Sequence, residues 1–135
     1  QERGWLAGDA EAFAEGASPE IVFTNVVGLF SVGRAAFVGQ HRHIFATFYA
    51  GSRFSQQVER ITYVRPDVAV VNTPTTVTGF GALPSAITAH AGVVTTRLEQ
   101  VVERGAAGWR IVTFHNVVVH PAGSAAAPAG AAEGR

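Results

Sequence analysis

The chain contains no cysteine, and all ten of its basic residues are arginine. Without thiols there is no disulfide, no thiolate nucleophile and no cysteine-bound metal or iron–sulfur centre. Without lysine, Schiff-base chemistry on a carbonyl substrate is excluded. Ten acidic residues balance the ten arginines, so the formal net charge is zero. That balance leaves no cationic footprint for nucleic acid and no polybasic patch for a membrane surface. No apolar run reaches the roughly 20 residues of a transmembrane helix, and there is no signal-peptide pattern. Metal-ligand spacings such as His-Glu-x-x-His are absent. Gly79-Phe80-Gly81 alone does not make a phosphate-cradling loop. The expectations are therefore no metal, no cofactor, no nucleic-acid or membrane partner and a cytoplasmic location. The chain opens on Gln1 rather than Met, which reads as a missing N-terminal piece.

What is present is apolar surface. With 47% hydrophobic residues over 135 positions, the chain has the material for one domain with a substantial core. The Arg, Ala, Gly and Val bias is that of a GC-rich bacterial genome. The domain is expected over residues 1–121. The Ala, Gly, Ser and Pro stretch from 122 to 135 has little to bury and is expected to be a flexible tail.

The chain is organised around residues 107–121, where Gly108-Trp109-Arg110-Ile111-Val112-Thr113-Phe114-His115-Asn116-Val117-Val118 reads as a central strand. Trp109, Ile111, Thr113, His115 and Val117 share one parity, and Arg110, Val112, Phe114, Asn116 and Val118 the other. Both faces are mostly apolar, so both are expected to be covered. Residues 1–16 read as helix broken at Gly8, with Asp9 capping the second segment. Ser18-Pro19-Glu20 reads as a turn, Ile21 to Val27 as a strand, and 28–32 as a short hairpin. A helix follows from Arg34 to Tyr49, with Phe37, His41, Ile44, Phe45 and Phe48 on one buried face and Gly51 as its cap. Arg53 to Val64 pairs with Val68 to Thr78 through the turn Arg65-Pro66-Asp67, and Pro74 implies an interruption, bulge or edge. Residues 79–91 read as a loop overhanging one end of the sheet. A strand over 92–104 then turns back into the organising strand. Helices followed by antiparallel strands make an α+β pattern, with helices on one face of a curved sheet. The concave end of such a sheet is the usual place for a small ligand.

Within that hollow, His41 lies on the apolar stripe of the long helix. It is either a core histidine bonded to a backbone carbonyl or an acid, base or ligand contact. His43 points elsewhere on the helix and is expected in solvent. Asn25 shares the parity of Phe23 and is either a ligand contact or part of an internal network. Only one of His115 and Asn116 can face inward, and parity alone does not say which. Trp5, Phe23, Phe37 and Phe45 are the expected apolar lining. No Asp or Glu can be assigned to the interior.

An ordered set of short motifs carries a family resemblance over about residues 4–120. The set runs through Gly8-Asp9-Ala10 with Phe13, Phe23-Thr24-Asn25-Val26 followed by Gly28, and Gly33-Arg34. It continues with His41-Arg42-His43-Ile44-Phe45, Tyr49-Ala50-Gly51-Ser52-Arg53, Arg65-Pro66-Asp67-Val68-Ala69 and Gly108-Trp109-Arg110-Ile111 with His115-Asn116. In these the chain resembles the SnoaL-like, nuclear-transport-factor-2-like superfamily, and within it the SgcJ/EcaC-type branch associated with enediyne antibiotic clusters. It departs from the pattern at Ser18-Pro19-Glu20, where many relatives carry an Asp, and across Thr75–His90. The resemblance implies a cone-shaped α+β fold (cystatin-like), with the sheet wrapped around N-terminal helices, and a homodimer formed through the sheet's outer face. It also implies a role in natural-product biosynthesis, holding a hydrophobic polyene or polyketide-like molecule. The alternatives are a cofactor-free cyclase, isomerase or dehydratase using His41 as acid or base, and a protein-interaction module.

Overall fold

The computed structural model describes residues 1–120, so the expected tail over 122–135 lies outside the described residues. In chain order the elements are α1 (Glu2–Ala7), α2 (Ala10–Phe13), β1 (Ala17–Thr24), β2 (Phe30–Val32), α3 (Arg34–Ala46), β3 (Arg53–Gln56), β4 (Arg60–Arg65), β5 (Val68–Thr78), β6 (Val94–Gly105) and β7 (Gly108–Val118). The strands form one mixed sheet in the order β2-β1-β7-β6-β5-β3, and β4 also pairs with β5. β1 runs parallel to β7; the other pairings are antiparallel. Helices on one face of a mixed sheet make this α+β.

The break between α1 and α2 follows its local chemistry. Gly8 sits at φ 64°, in the left-handed region that glycine enters without steric cost. The Asp9 carboxylate then accepts from the Ala12 N–H at 3.0 Å and caps α2. Gly4 is needed for another reason. A Cβ there would lie 2.4 Å from the backbone nitrogen of Phe13, so a bare backbone is what lets the two short helices cross.

Three local expectations are corrected by pairing. Ser18-Pro19-Glu20 is strand rather than turn, because the β1–β7 register shifts between Ala17 and Val22, and an irregularity tolerates a residue without an N–H. The long helix ends at Ala46, not Tyr49. Gly51, at φ 69°, belongs to the turn after it and does not cap the helix. Arg53 to Val64 is two strands rather than one. Pro74 explains the break: its carbonyl accepts from Gln57 N–H at 3.3 Å, so its proton-free nitrogen faces the same edge. The register there slips by one residue between Gln56 and Arg60. The interruption expected in the Pro74 strand itself does not occur, since β5 pairs with β6 in unbroken register from Val68 to Val77, and the break falls in the neighbouring strand.

The core fills the space between the helices and the inner face of the sheet. Phe13, Phe23, Phe37, Ile21, Leu98 and Val94 are fully buried there. β7 is central, as its composition implies, but a register shift opposite Val101 and Val102 interrupts its alternation. Ile111 therefore packs on the core although it lacks the parity of buried Phe114. The expectation that both faces of β7 are covered does not hold within this chain. His115 and Val117 are exposed on the outer face, Val117 by 53%.

Candidate functional site

The concave end of the sheet encloses a cavity of about 520 Å³. Its inner wall is aromatic, from Trp5, Phe13, Phe23, Phe54 and Phe114. Its mouth is framed by three elements. These are the β1–β2 turn with Val27 and Leu29, α3 with Gln40 and His43, and the 79–93 loop with Pro84, Ala86 and Ile87. That loop packs Phe80, Leu83 and Ala89 against the core, so the hydrophobicity of its side chains folds it over the opening.

His41 reaches this cavity from α3 and is 7% exposed. Its ring stacks on Phe13 at 4.4 Å and tilts against Phe37 at 4.3 Å between centroids. Nδ1 lies 2.7 Å from the Phe37 carbonyl oxygen. A carbonyl can only accept, so Nδ1 carries the proton and Nε2 presents a lone pair. No group among the described residues bonds to that Nε2. Burial lowers the imidazole pKa from 6.5 to about 4, and the bond to Phe37 opposes the shift only in part. At neutral pH His41 is therefore an uncharged acceptor. The reading of His41 as a core histidine bonded to a backbone carbonyl holds for Nδ1, while the other ring nitrogen lies on the cavity side.

The sheet floor carries a short polar strip. Thr75 on β5 pairs directly with Thr96 on β6, and their hydroxyls bond to each other at 2.5 Å. Asn116 on β7 pairs with Leu98, one step of alternation along β6 from Thr96. The Oδ1 of Asn116 is buried and has no hydrogen-bond partner among the described residues. Tyr49 also lines the cavity, and burial pushes its phenol up to about 12, so it stays protonated. No Asp, Glu or Arg lines the cavity among the described residues.

Of the residues singled out from sequence, Trp5, Phe23, Asn25, His41 and Asn116 border the cavity. The amide oxygen of Asn25 is taken by the β1–β2 turn, accepting from Val27 N–H at 3.1 Å and Leu29 N–H at 2.9 Å. Phe37 and Phe45 do not line it. They pack behind, because the helix face that bears them is pressed onto Phe13, Phe23 and Trp5. His115 does not line it either. It stands on the outer face beside Arg97, Glu99 and Asn72, because it alternates with inward-facing Phe114 and Asn116. His43, expected away from the site, borders its mouth. The Thr75–Thr96 pair and Tyr49 were not singled out. Only the cross-strand register brings the threonines together, and no single-strand pattern carries that information. Phe13 had a signal, its place on the first helical stripe.

No group of three or more metal-binding side chains occurs among the described residues. No helix among them is long and apolar enough to cross a membrane.

No protein-family model matches the chain. No curated protein matches it in sequence. Solved structures do match in fold. An uncharacterized protein with a cystatin-like fold from Caulobacter vibrioides superposes with a TM-score of 0.79 at 21% identity, over 94% of this chain and 87% of that one. A ketosteroid isomerase-like protein from Erwinia carotovora atroseptica gives 0.66 at 15% identity, over 88% of both chains. A protein provisionally named a scytalone dehydratase, from Novosphingobium aromaticivorans, gives 0.70 at 13% identity, over 88% of this chain and 76% of that one. The fold is the cystatin-like, nuclear-transport-factor-2-like α+β cone.

Proposed function

We propose that this chain is a SnoaL-like protein of the SgcJ/EcaC-type branch that binds a hydrophobic, polyketide-like molecule. It would act in the cytoplasm, in natural-product biosynthesis of the enediyne or polyketide kind. The observation that carries this reading is the aromatic cavity of about 520 Å³, in whose lining no carboxylate occurs among the described residues. Apolar walls with a few convergent polar groups are what small-molecule sites require. The structural neighbours named as ketosteroid isomerase-like and as a scytalone dehydratase support a general ligand-binding or isomerase-type fold. A ketosteroid-isomerase type of proton transfer uses a carboxylate base in an apolar site, and the cavity offers none among the described residues. That favours holding the ligand over transforming it.

The test is equilibrium binding of a neutral linear polyene, followed by quenching of Trp5, which borders the cavity. Saturable one-to-one quenching is expected. Val77→Trp, which fills the cavity from the buried inner face of β5, should abolish it while the far-ultraviolet spectrum is unchanged. Absence of quenching in the wild type would overturn the reading.

One observation favours a second reading, a cofactor-free cyclase, isomerase or dehydratase. The Nε2 of His41 is unprotonated and faces the cavity, which is the protonation state of a general base, while its pKa of about 4 makes it a weak one. Here His41→Gln is expected to remove turnover of the biosynthetic intermediate and spare binding. Unchanged product formation would sink it. A homodimer through the outer face would cover the exposed Val117 and His115, and sedimentation at micromolar concentration should then give twice the chain mass. A protein-interaction role would use the same face.

A further inference from the structure

The polar groups of the cavity form a pattern that restricts the chemistry of what can occupy it. This inference rests on the small-molecule reading above and narrows it.

The Phe37 carbonyl sets the tautomer, so Nε2 of His41 offers a lone pair, and no side chain among the described residues donates to it. The Asn116 amide has one end buried and unpaired. Amide oxygen and nitrogen are assigned from the partners around them, so this buried end is either an acceptor or a donor. In the Thr75–Thr96 pair one hydroxyl donates to the other, which leaves the second hydroxyl hydrogen without an assigned acceptor. Buried polar groups in folded proteins almost always find partners, so the buried end of Asn116, with the His41 Nε2 facing the same cavity, points to a guest that supplies them.

Their placement is consistent with one guest. Asn116 follows Phe114 by two residues on the inner face of β7, and the His41 ring lies 6.4 Å from the Phe114 ring. His41 from the helix side and Asn116 from the sheet side therefore flank the same aromatic wall. A flat molecule stacked on that wall would meet both.

Charge narrows the class further. The ionisable groups lining the cavity are His41, His43 and Tyr49. Of these His43 is exposed at the mouth and Tyr49 is held protonated. No arginine reaches the interior among the described residues. A buried carboxylate would lose its hydration with no cation to replace it. An uncharged hydroxyl would lose little and gain the His41 acceptor.

We propose that the cavity selects an uncharged, flat, hydroxylated molecule, a phenol or enol whose O–H donates to Nε2 of His41 and whose polar edge reaches Asn116. It rejects a carboxylate of the same size.

Three probes of one shape test this by equilibrium dialysis at pH 7: naphthalene, 2-naphthol and 2-naphthoate. The wild-type chain is expected to bind 2-naphthol at least tenfold more tightly than naphthalene, and 2-naphthoate at least tenfold more weakly than 2-naphthol. In His41→Phe the preference for 2-naphthol over naphthalene should fall below threefold while naphthalene affinity holds, which also reports a folded pocket. Asn116→Leu gives a second route should His41→Phe fail to fold, with at least a threefold loss of the same preference. Naphthalene bound with no preference for the hydroxyl overturns this inference and leaves the pocket reading standing. So does 2-naphthoate bound as tightly as 2-naphthol, or a preference that survives both substitutions. No binding of any probe overturns both.

Discussion

His41 combines two environments in one ring, and its titration reports them. The unfolded chain protonates a histidine near pH 6.5, whereas the folded chain keeps His41 neutral down to about pH 4. Between those values the unfolded state holds the extra proton, so stability falls as pH drops through that window. Above pH 6.5 this group contributes no slope. The full loss is about 3 kcal/mol by linkage. The rings packed on His41 belong to Phe13, Phe37, Phe45 and Phe114, none of which titrates. Urea unfolding at pH 7 and pH 4.5 should show the decline in the wild type and a much smaller one in His41→Gln. Equal declines in both would place the titration elsewhere. Asn25 illustrates the opposite allocation, a polar side chain spent on structure. Asn25→Ala removes two acceptor contacts to the β1–β2 turn and should cost about 1 kcal/mol, read as a lower urea midpoint. The turn carries Val27 and Leu29 at the mouth, so ligand on-rates should change with it.

At the scale of elements, two glycines in helices separate backbone crowding from backbone entropy. A methyl at Gly4 would collide with the backbone of Phe13, and neither helix can yield without moving Trp5 or Phe13 out of the core. Gly4→Ala should therefore destabilise by about 2 kcal/mol. Gly39 lies within α3, has ordinary helical backbone and has open space where its Cβ would be. Gly39→Ala should stabilise by about 0.5–1 kcal/mol. Thermal melts of both variants against the wild type decide the matter, and shifts of the same sign would contradict the packing of α1 on α2. The sheet shows a related economy. Pro74 withholds one N–H, and the strand opposite divides around it into β3 and β4.

For the whole molecule, a guest of the proposed kind would make stability conditional on occupancy. A guest that binds the folded chain and not the unfolded one adds about 2.7 kcal/mol at a hundredfold excess over Kd. Saturating 2-naphthol should raise the midpoint of thermal unfolding of the wild type and leave that of Val77→Trp unmoved. An unmoved wild-type midpoint would argue that the hollow is not a site. The fold fits this use because helices α1, α2 and α3 cover one end of a curved sheet and the 79–93 loop covers only part of what remains.

The residue pattern was sufficient for the α+β class, the broken first helix with its Asp9 cap, the centrality of residues 108–118 and the overhanging loop. Each depends on periodicity or on turn and cap chemistry within about a dozen neighbours, which the chain encodes locally. What needed the assembled molecule was the inward face of β7, the strand character of Ser18-Pro19-Glu20, the withdrawal of Phe37 and Phe45 behind the lining, and the meeting of Thr75 with Thr96. The register shift in β7 carries Ile111 and Phe114 to the same side, so parity counted along the chain could not choose between His115 and Asn116. These features are set by pairing between residues far apart in the chain and by how much volume the neighbouring side chains occupy, quantities that no local repeat records.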